Sequence, residues 1–447
     1  MDGMKETGVR WIGAVPSAWS LLKMKHYSYM KGRIGWQGLT ADEFIDEGPY
    51  LITGTDFENG RVCWDRCYHV SEKRYNEAVP IQVHVGDLLV TKDGTIGKLA
   101  YIDELPGKAS LNSHLLVIRP IGDKFINRFL YWMLYSSVFE GYYDLVSYGS
   151  TMDSLSQEKI GEFAFYAPSV GEQEAIADYL DRECAKLDEI IETIEKQIEI
   201  LQKQKRSIIS RAVIKGISRD AVMRDSGIPW LGHIPSHWRI NRLKYCCSVK
   251  TGPFGTQLSA DEYTETGTPI VNVKNIGYGN IIEEDLDYIP DEVKKRLSVH
   301  ILQAGDIVFG RKGAVDKHAI IDERHEGWVQ GSDCMRLRIY GDIVPEFLNY
   351  YFGSSGYSYY VLSSSVGSTM ASVNSQILND SIVVYPEVDE QRRIVKYLDM
   401  TMGRIDAILE RKKAQLLALR NYRRTVIYEY VTGKKRVKEV QQDAHQS

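Results

Sequence analysis

Residues 230–238 read WLGHIPSHW, and residues 11–19 read WIGAVPSAW. The likeness begins earlier, because MKETGVR from Met4 matches MRDSGIP from Met223, 219 residues later. A repeat of this length is too long for a solenoid, whose units span about 20–50 residues. The chain is therefore predicted to hold one domain twice.

Further motifs recur in the same order in both halves. GDLLVTKDGTIGKLAYID from Gly86 matches GDIVFGRKGAVDKHAIID from Gly305 at the same offset. Two more pairs follow at an offset of 218: SYGSTM from Ser147 with SVGSTM from Ser365, and PSVGEQEAIADYLD from Pro168 with PEVDEQRRIVKYLD from Pro386. The repeated unit therefore extends from the tryptophan motif to the polar segment that follows PSVGEQ or PEVDEQ.

The first part of each copy predicts mixed α/β structure. Short β-rich runs such as DLLVT and MRLRIY are separated by glycine-containing turns. Aromatic segments such as FINRFLYWML and VPEFLNYYF place apolar residues at helical spacing. We expect a sheet with helices packed on it in each copy.

The last part of each copy predicts a long helix. No proline or glycine occurs from Glu172 until Gly216, and apolar residues fill the a and d positions of about five heptads. The expected coiled-coil core is Leu180, Leu187, Ile191, Ile194, Ile198, Leu201 and Ile208 in the first copy, and Leu398, Ile405, Leu409, Leu416, Leu419 and Val426 in the second. Lys205, Lys412 and Arg423 interrupt these series.

Charge indicates how the two helices pair. The first opens acidic, for example at Glu172 and Asp188, and closes basic, while the second is basic towards its end, for example at Arg423 and Arg424. An antiparallel pair sets the acidic start beside the basic end, whereas a parallel pair stacks two basic ends. We predict an antiparallel coiled coil that relates the two domains by a pseudo-two-fold axis.

These patterns predict an α+β fold in five segments. They are domain one at 1–167, a helical spacer at 168–216, domain two at 217–385, a second helical spacer at 386–436 and a flexible tail at 437–447. Trp11, Trp19, Trp230 and Trp238 recur in both copies, so we expect them to form a structural clasp between a domain and a helix end.

Composition limits the class of protein. With 447 residues, 43% hydrophobic and 26% charged, the chain has the composition of a globular protein with more than one domain. No apolar run approaches the roughly 20 residues of a membrane span, and MDGMKETGVR contains no hydrophobic signal core, so a cytoplasmic location is expected. The net charge of −5 argues mildly against a stand-alone nucleic-acid binder and leaves room for a partner that carries positive charge.

Catalytic and metal motifs are weak or missing. The sequence has no Walker A motif, no glycine-rich S-adenosylmethionine loop after a strand and no Asp/Asn-Pro-Pro-Tyr/Phe tetrad. Cys63, Cys67 and His69 lack a fourth zinc ligand at suitable spacing. A nuclease at Asp291 or a hydrolase using His114 or His318 remains an alternative, although no nucleophile pattern accompanies either histidine.

Two similar domains on a helical rod form a device for reading two sites at a fixed distance, and half-sites on B-DNA have that geometry. The expected contacts are basic side chains in glycine-opened turns, together with polar side chains that match purine edges. The candidate DNA-binding residues are Lys31, Arg33, Trp36, Lys92, Thr95, Lys98, Lys250, Gln257, Lys274, Asn275, Arg311, Lys312 and Lys317. The two GSTM motifs are expected to cap a helix or bind a phosphate.

The doubled order of domain and helix, with the GD, GSTM and EQ motifs, resembles the specificity (S, HsdS) subunit of type I restriction-modification systems over residues 4–436. The resemblance implies that each domain is a target-recognition domain for one half of a bipartite DNA site. It also implies that the coiled coil sets the spacing and docks two methyltransferase (M) subunits, joined by restriction (R) subunits. S-adenosylmethionine, ATP and Mg²⁺ would then lie on the partners, with no cofactor or catalytic residue on this chain. A stand-alone bipartite-site regulator is the alternative.

Overall fold

A computed structural model of the chain describes residues 3–33, 39–147, 154–254, 257–313, 315–365 and 372–437. The chain divides into two compact units, the first with residues 1–194 and 415–447 and the second with residues 195–414. Each unit therefore combines one globular domain with parts of both long helices. Among the described residues, none of the helices combines the length and apolar character that a membrane crossing requires.

The first unit contains short strands and helices that precede the first long helix. Its strands are β1 (Met4–Glu6), β2 (Ala14–Pro16), β3 (Ser20–Lys23), β4 (Ser28–Gly32), β5 (Ile45–Ile52), β6 (Phe57–Glu58), β7 (Arg61–Val62), β8 (Tyr68–His69), β9 (Leu88–Thr91), β10 (Leu99–Tyr101), β11 (Ala109–Leu111), β12 (Leu115–Pro120) and β13 (Ala164–Ala167). Its helices are α1 (Met24–Tyr27), α2 (Glu72–Glu77), α3 (Asn127–Tyr135), α4 (Ser137–Ser147) and α5 (Gln157–Glu162), followed by the long helix α6 (Val170–Lys215).

The second unit repeats this order with small differences. Its strands are β14 (Met223–Asp225), β15 (His233–Pro235), β16 (Arg239–Arg242), β17 (Cys247–Thr251), β18 (Thr268–Val271), β19 (Tyr278–Gly279), β20 (Asp287–Ile289), β21 (Ile307–Gly310), β22 (His318–Ile320), β23 (Val329–Gln330), β24 (Cys334–Ile339) and β25 (Ile382–Tyr385). Its helices are α7 (Asp291–Arg296), α8 (Pro345–Phe352), α9 (Ser355–Ser364) and α10 (Ser375–Asp380), followed by the long helix α11 (Val388–Val431).

A central antiparallel sheet organises each unit. In the first unit its order is β10-β9-β12-β4, with a three-stranded sheet β11-β5-β8 beside it. In the second unit the order is β17-β24-β21-β22-β19, where β19 adds in parallel, and the smaller sheet is β20-β18-β23. The equivalent strands keep the 219-residue offset as far as β12 and β24, and β13 and β25 keep the 218-residue offset, which confirms the predicted repeat.

Both faces of the central sheet are buried. In β9, Leu88 and Val90 join the cluster under α3 and α4, while Leu89 joins the cluster shared with the smaller sheet. In β21, Ile307 joins the cluster under α8 and α9, while Val308 joins the cluster shared with the smaller sheet. Because successive side chains point to opposite faces, such strands read as continuous apolar runs rather than as alternating ones.

The GD motif has a structural role. Asp87 is 2% exposed, accepts a hydrogen bond from the backbone N–H of His84 at 2.7 Å and pairs with Arg119 Nε at 2.6 Å. Asp306 is equally buried, and it accepts from Gln303 N at 2.9 Å and from Arg338 Nε at 2.8 Å. A buried carboxylate needs this complete pairing, since an unpaired charge is costly inside a protein.

The EQ motif ties each long helix to its domain. Gln173 is fully buried, accepts a hydrogen bond from Ile126 N at 3.0 Å and donates to Lys124 O at 2.9 Å. Gln391 repeats these contacts with Val344 N and Asp342 O, at 2.8 Å each. The glutamine therefore fixes the start of the helix against the loop before α3 or α8.

Two of the four repeated tryptophans, Trp19 and Trp238, form the predicted clasp, whereas Trp11 packs on α4 and Trp230 on α9. Trp19 and Trp238 are each 2% exposed. A Cβ at Gly433, which follows α11, would lie 2.8 Å from Trp19 Cζ2, and a Cβ at Gly216, which follows α6, would lie 3.4 Å from Trp238 Cζ2. Both glycines have positive φ, 68° and 74°, so they end the helices in a conformation that L side chains disfavour. Each clasp packs a domain against the end of a long helix.

The two long helices run antiparallel within each unit. In the first unit, Tyr179 near the start of α6 packs on Tyr430 near the end of α11, with ring centroids 4.3 Å apart. Arg423 pairs there with Asp188 at 2.8 Å. In the second unit, Lys205 near the end of α6 pairs with Asp406 in the first half of α11 at 2.5 Å. Two of the three cations that interrupt the heptads, Lys205 and Arg423, thus meet acids on the facing helix.

The predicted seam positions are turned inward. Leu180, Ile194, Leu398, Ile405, Leu409 and Val426 are buried, and Leu187, Ile191, Ile198, Leu201, Ile208, Leu416 and Leu419 are half-buried. Some apolar residues outside the seam are exposed, including Ile190 at 45% and Ile408 at 43%. The 218-residue offset makes these two isoleucines equivalent.

Candidate nucleic-acid interface

In each unit the basic turn lies at one end of that unit's central sheet. In the first unit, β4 and β9 end at this point and β10 and β12 begin, because these strands are antiparallel. The turn at 92–98 connects β9 to β10, and the turn at 311–317 connects β21 to β22 in the second unit. Lys31 at the end of β4 and Lys250 at the end of β17 lie at the same end of their sheets.

The first turn is built by glycines and one buried threonine. Gly94 and Gly97 have φ of 70° and 79°, a conformation that glycine adopts without strain. Thr91 Oγ1 donates to Thr95 O at 2.5 Å and accepts from Lys98 N at 2.9 Å. Ile96 packs against the core. The backbone of the turn is therefore fixed while its basic side chains remain at the surface.

The second turn has the same anchor and lacks the side-chain brace. Val315 is fully buried at the position equivalent to Ile96, and Gly313 has φ of 76°. The backbone bond from Gly310 N to Lys317 O at 3.3 Å repeats the bond from Thr91 N to Lys98 O at 3.0 Å. Gly310 replaces Thr91, so the bracing hydroxyl is missing while the turn keeps its position on the sheet.

Six cations at these sheet ends have no acidic partner among the residues that the structure describes. They are Lys31, Lys92 and Lys98 in the first unit, and Lys250, Arg311 and Lys317 in the second. Many other basic residues form ion pairs with acidic side chains, as Lys108 does with Glu72 at 2.9 Å. Unpaired cations beside glycine-opened turns suit contacts to phosphate oxygens.

Two of the predicted contact residues are buried, and their placement corrects the expectation. Arg33 is 5% exposed and donates from Nε to Leu111 O at 2.8 Å, and burial and the nearby Arg74 lower its pKa. Asn275 is fully buried and donates to Ile282 O at 3.2 Å and to Glu284 O at 3.1 Å. Neither side chain is available to a base edge in this structure, because the fold uses its polar atoms.

Other predicted residues have mixed placements. Lys274 pairs with both Asp285 and Asp287, at 3.1 and 3.2 Å, so its charge is balanced within the protein. Thr95 and Gln257 are exposed, and Gln257 Oε1 accepts from Phe254 N at 3.4 Å. Trp36 lies outside the described residues.

The GSTM motifs also lie outside the described residues, as does nearly all of the predicted tail at 437–447. The segments that follow the motifs pair with the basic turns. Leu155 N donates to Lys92 O at 2.7 Å, and Val373 N donates to Arg311 O at 2.9 Å. The residues that follow each GSTM motif therefore lie at the same sheet end as the basic turn.

The structure adds Phe254, Asp93 and Asp333, which the sequence patterns did not single out, and it shows which side chains they contact. Phe254 is 55% exposed, and the guanidinium of Arg311 lies 5.8 Å from its ring centroid. His114 Nδ1 contacts Asp93 Oδ1 beside the first turn, and Lys312 Nζ lies 3.3 Å from Asp333 Oδ1 beside the second. The 219-residue offset relates these last two pairs and was the signal available in the sequence.

The metal and hydrolase alternatives gain no support. Within the described ranges, no group of three His, Cys, Asp or Glu side chains converges as a metal site. His69, one of the three candidate zinc ligands, has Nδ1 2.7 Å from Gly48 O. His318 is fully buried, with ring nitrogens 3.1 Å from Asp316 O and 3.0 Å from Asn349 O, and burial lowers its pKa.

Comparison with known proteins gives a consistent result. The chain is 22% identical over 438 residues to the type I restriction enzyme MjaVIII specificity subunit of Methanocaldococcus jannaschii, covering 95% of this chain and 94% of the relative. It is 20% identical over 433 residues to the type I restriction enzyme EcoKI specificity subunit of Escherichia coli K12, covering 94% and 90%.

A solved structure shares the fold. A chain from a study of complex assembly and conformational transition in the type I R-M system matches with a TM-score of 0.68 at 14% identity, over 94% of this chain and 99% of that one. The family model for the type I restriction modification DNA specificity domain matches residues 38–200 and 235–418. With two matched copies that together cover more than half of its length, the chain belongs to the type I restriction modification DNA specificity domain family.

Proposed function

We propose that this chain is the non-catalytic specificity subunit of a type I restriction-modification complex. Each unit reads one half of a bipartite DNA site with the sheet end that carries its basic turn. The single observation that carries this proposal is the duplicated set of unpaired cations at equivalent sheet ends, Lys31, Lys92 and Lys98 in one unit and Lys250, Arg311 and Lys317 in the other. Family membership supports it independently.

The antiparallel helices provide the spacing between the two half-sites. A helix rises about 1.5 Å per residue, so the length of α6 and α11 limits the separations that the two domains adopt. The pairs Arg423–Asp188 and Lys205–Asp406 support a single register, because a shifted pairing would leave seam cations without acids. The coiled coil, and not the basic turns, therefore sets the spacer length.

The helices also provide docking surfaces for two methyltransferase subunits. Each unit exposes one of two equivalent isoleucines, Ile190 and Ile408, on the surface of a long helix. Equivalent apolar contacts on the two units suit two copies of one partner. The partners supply the S-adenosylmethionine chemistry on adenine, and restriction subunits supply ATP- and Mg²⁺-dependent cleavage.

The net charge of −5 agrees with a complex in which partner subunits supply much of the affinity for DNA. Affinity for DNA depends strongly on the number of phosphates that a protein neutralises. Three cations per unit without an acidic partner among the described residues give modest affinity, and methyltransferase subunits that close around the duplex add the remainder. The chain then contributes the choice of sequence more than the strength of binding.

The test is methylation by purified components. DNA carrying the target is incubated with S-adenosylmethionine and this chain, with and without the methyltransferase subunit. Adenine methylation is expected only when both proteins are present, and methylation by this chain alone would contradict the proposal. Tight, sequence-specific binding of a bipartite site by the lone chain would instead favour the stand-alone regulator.

A further inference from the structure

The two basic turns are closed by the same backbone hydrogen bond. Lys92 N donates to His114 O at 2.9 Å, and Arg311 N donates to Asp333 O at 2.8 Å. The residue after each donor, Asp93 or Lys312, therefore faces the residue that precedes β12 or β24. Asp93 with His114 and Lys312 with Asp333 are equivalent pairs, since both members differ by 219 residues.

The polarity of the pair is reversed between the units. In the first unit the turn carries the acid, and Asp93 Oδ1 contacts Nδ1 of His114. In the second unit the turn carries the base, and Lys312 Nζ lies 3.3 Å from Asp333 Oδ1. The side chains stay accessible, at 38% and 61% exposure for Asp93 and His114 and at 53% and 52% for Lys312 and Asp333.

Holding the turn in place does not require this reversal. Exposed ion pairs contribute little to stability, whichever side carries the acid. The contact between turn and core recurs in both units instead, because Ile96 packs against the first core and Val315 is buried in the second. The residue before the pair keeps its positive charge in both units, as Lys92 and Arg311. Only the residue that follows this cation changes sign.

The reversal matches the chemistry of base edges in the major groove. A carboxylate accepts a hydrogen bond from the N4 amino group of cytosine, whereas lysine donates to O6 and N7 of guanine. His114 engages Oδ1 of Asp93 and leaves Oδ2 to accept. Lys312 keeps two of its three donors after pairing with Asp333. Each partner fixes the direction of the reading side chain.

We propose that Asp93 and Lys312 each read one base, Asp93 a cytosine in one half-site and Lys312 a guanine in the other. His114 and Asp333 act as positioning residues for them. This inference rests on the proposed function and deepens it, because it assigns the difference between the two half-sites to one reversed pair per unit.

The test exchanges the polarity of one pair without removing it. This chain and its methyltransferase subunit are expressed in a host without other adenine methyltransferases, and methylated adenines are mapped by sequencing. The variant with Asp93→Lys and His114→Asp is expected to change one position of the first half-site from cytosine to guanine. Methylation of the original site should fall by about 10- to 100-fold, the discrimination of one good base contact. The second half-site should not change.

A matched control exchanges a distant exposed ion pair in the same unit. The variant with Lys108→Glu and Glu72→Lys, whose charges lie 2.9 Å apart at 55% and 59% exposure, should leave both half-sites unchanged. If the wild type gives no bipartite motif, the proposed function fails. If the wild type gives one and the Asp93/His114 exchange leaves both half-sites intact, the inference is overturned.

A second variant is needed if the Asp93/His114 exchange abolishes methylation altogether. Asp93→Asn keeps the size of the side chain and adds donors that match adenine. It is expected to admit adenine at the position that the wild type restricts to cytosine. An unchanged half-site in this variant would also overturn the inference.

Discussion

The turn after β9 carries an acid beside His114, whereas the turn after β21 carries Lys312 beside an acid. Below these turns the two units share a buried contact, that of Asp87 with Arg119 and of Asp306 with Arg338. Duplication has therefore preserved the buried contacts that hold each unit together and the cations at the sheet end, and it has changed the pair beside each turn. Residues repeated at the sheet end suit the phosphate backbone, which both half-sites share, whereas divergent residues there suit the bases.

The largest expected effect is loss of the repeated buried carboxylate. Asp306→Ala removes the acceptor for Gln303 N and the partner of Arg338, and should destabilise the second unit by about 3 kcal/mol. Asp87→Ala should cost the first unit a similar amount. Native-state hydrogen exchange, read peptide by peptide, measures each unit separately. Asp261→Ala, at an exposed position, is the control, and very unequal costs of the two alanine variants would break the comparison.

A smaller effect is expected where the two clasps differ. Glu390 accepts from Trp238 Nε1 at 3.2 Å and from His237 Nε2 at 2.9 Å, whereas Trp19 Nε1 is buried without a partner in the first unit. Glu390→Ala should destabilise the second unit by about 1–2 kcal/mol, and Glu172→Ala should have little effect. The same exchange experiment checks both variants. Equal losses would mean that the clasps are stabilised alike.

Loss of a cation without an acidic partner should weaken DNA binding more than loss of a paired cation. In the complex with the methyltransferase, Lys92→Ala is expected to weaken binding to all sequences alike and to lower the salt slope by about 1. Lys274→Ala is the matched control, because two aspartates already balance its charge. Titrations at several salt concentrations measure the slope. A larger effect at Lys274 than at Lys92 would place the DNA at a different surface.

The smallest expected effect is a difference in acid sensitivity. Burial lowers the pKa of His318, whereas the equivalent residue of the first unit is Leu99. As the pH falls through about 6.5, the unfolded chain takes up a proton that the folded second unit disfavours, so the stability of that unit falls. His318→Leu should remove part of this dependence. Hydrogen exchange at pH 7.5 and 5.5, corrected for intrinsic rates, tests it, and a dependence confined to the first unit would contradict it.

The repeat, the sheets, the long helices and their antiparallel pairing were all predictable from the sequence. Periodicity and charge decide these features, since a heptad seam must be buried and opposite charges attract. Lys205 and Arg423 interrupt that seam in the sequence, yet each is paired across the helices, and the antiparallel prediction explains both.

The candidate contacts were predicted less well, for a physical reason. Residue type identifies side chains that are able to bind DNA, but it does not show whether the fold already uses their polar atoms. Arg33 and Asn275 bond to backbone carbonyls, and Lys274 bonds to two aspartates. The reversed pair at Asp93 and Lys312 was visible in the aligned repeats, and its meaning required knowing which side chains face each other.

The central claim is that the two units read separate half-sites. Its most direct test replaces residues 4–165 with the corresponding domain of a family member that has a different target. Methylated adenines are then mapped in a host that expresses the chimera with the methyltransferase subunit. One half-site of the motif is predicted to change, while the other half-site and the spacer length stay the same. A change in both half-sites, or in neither, would contradict the claim.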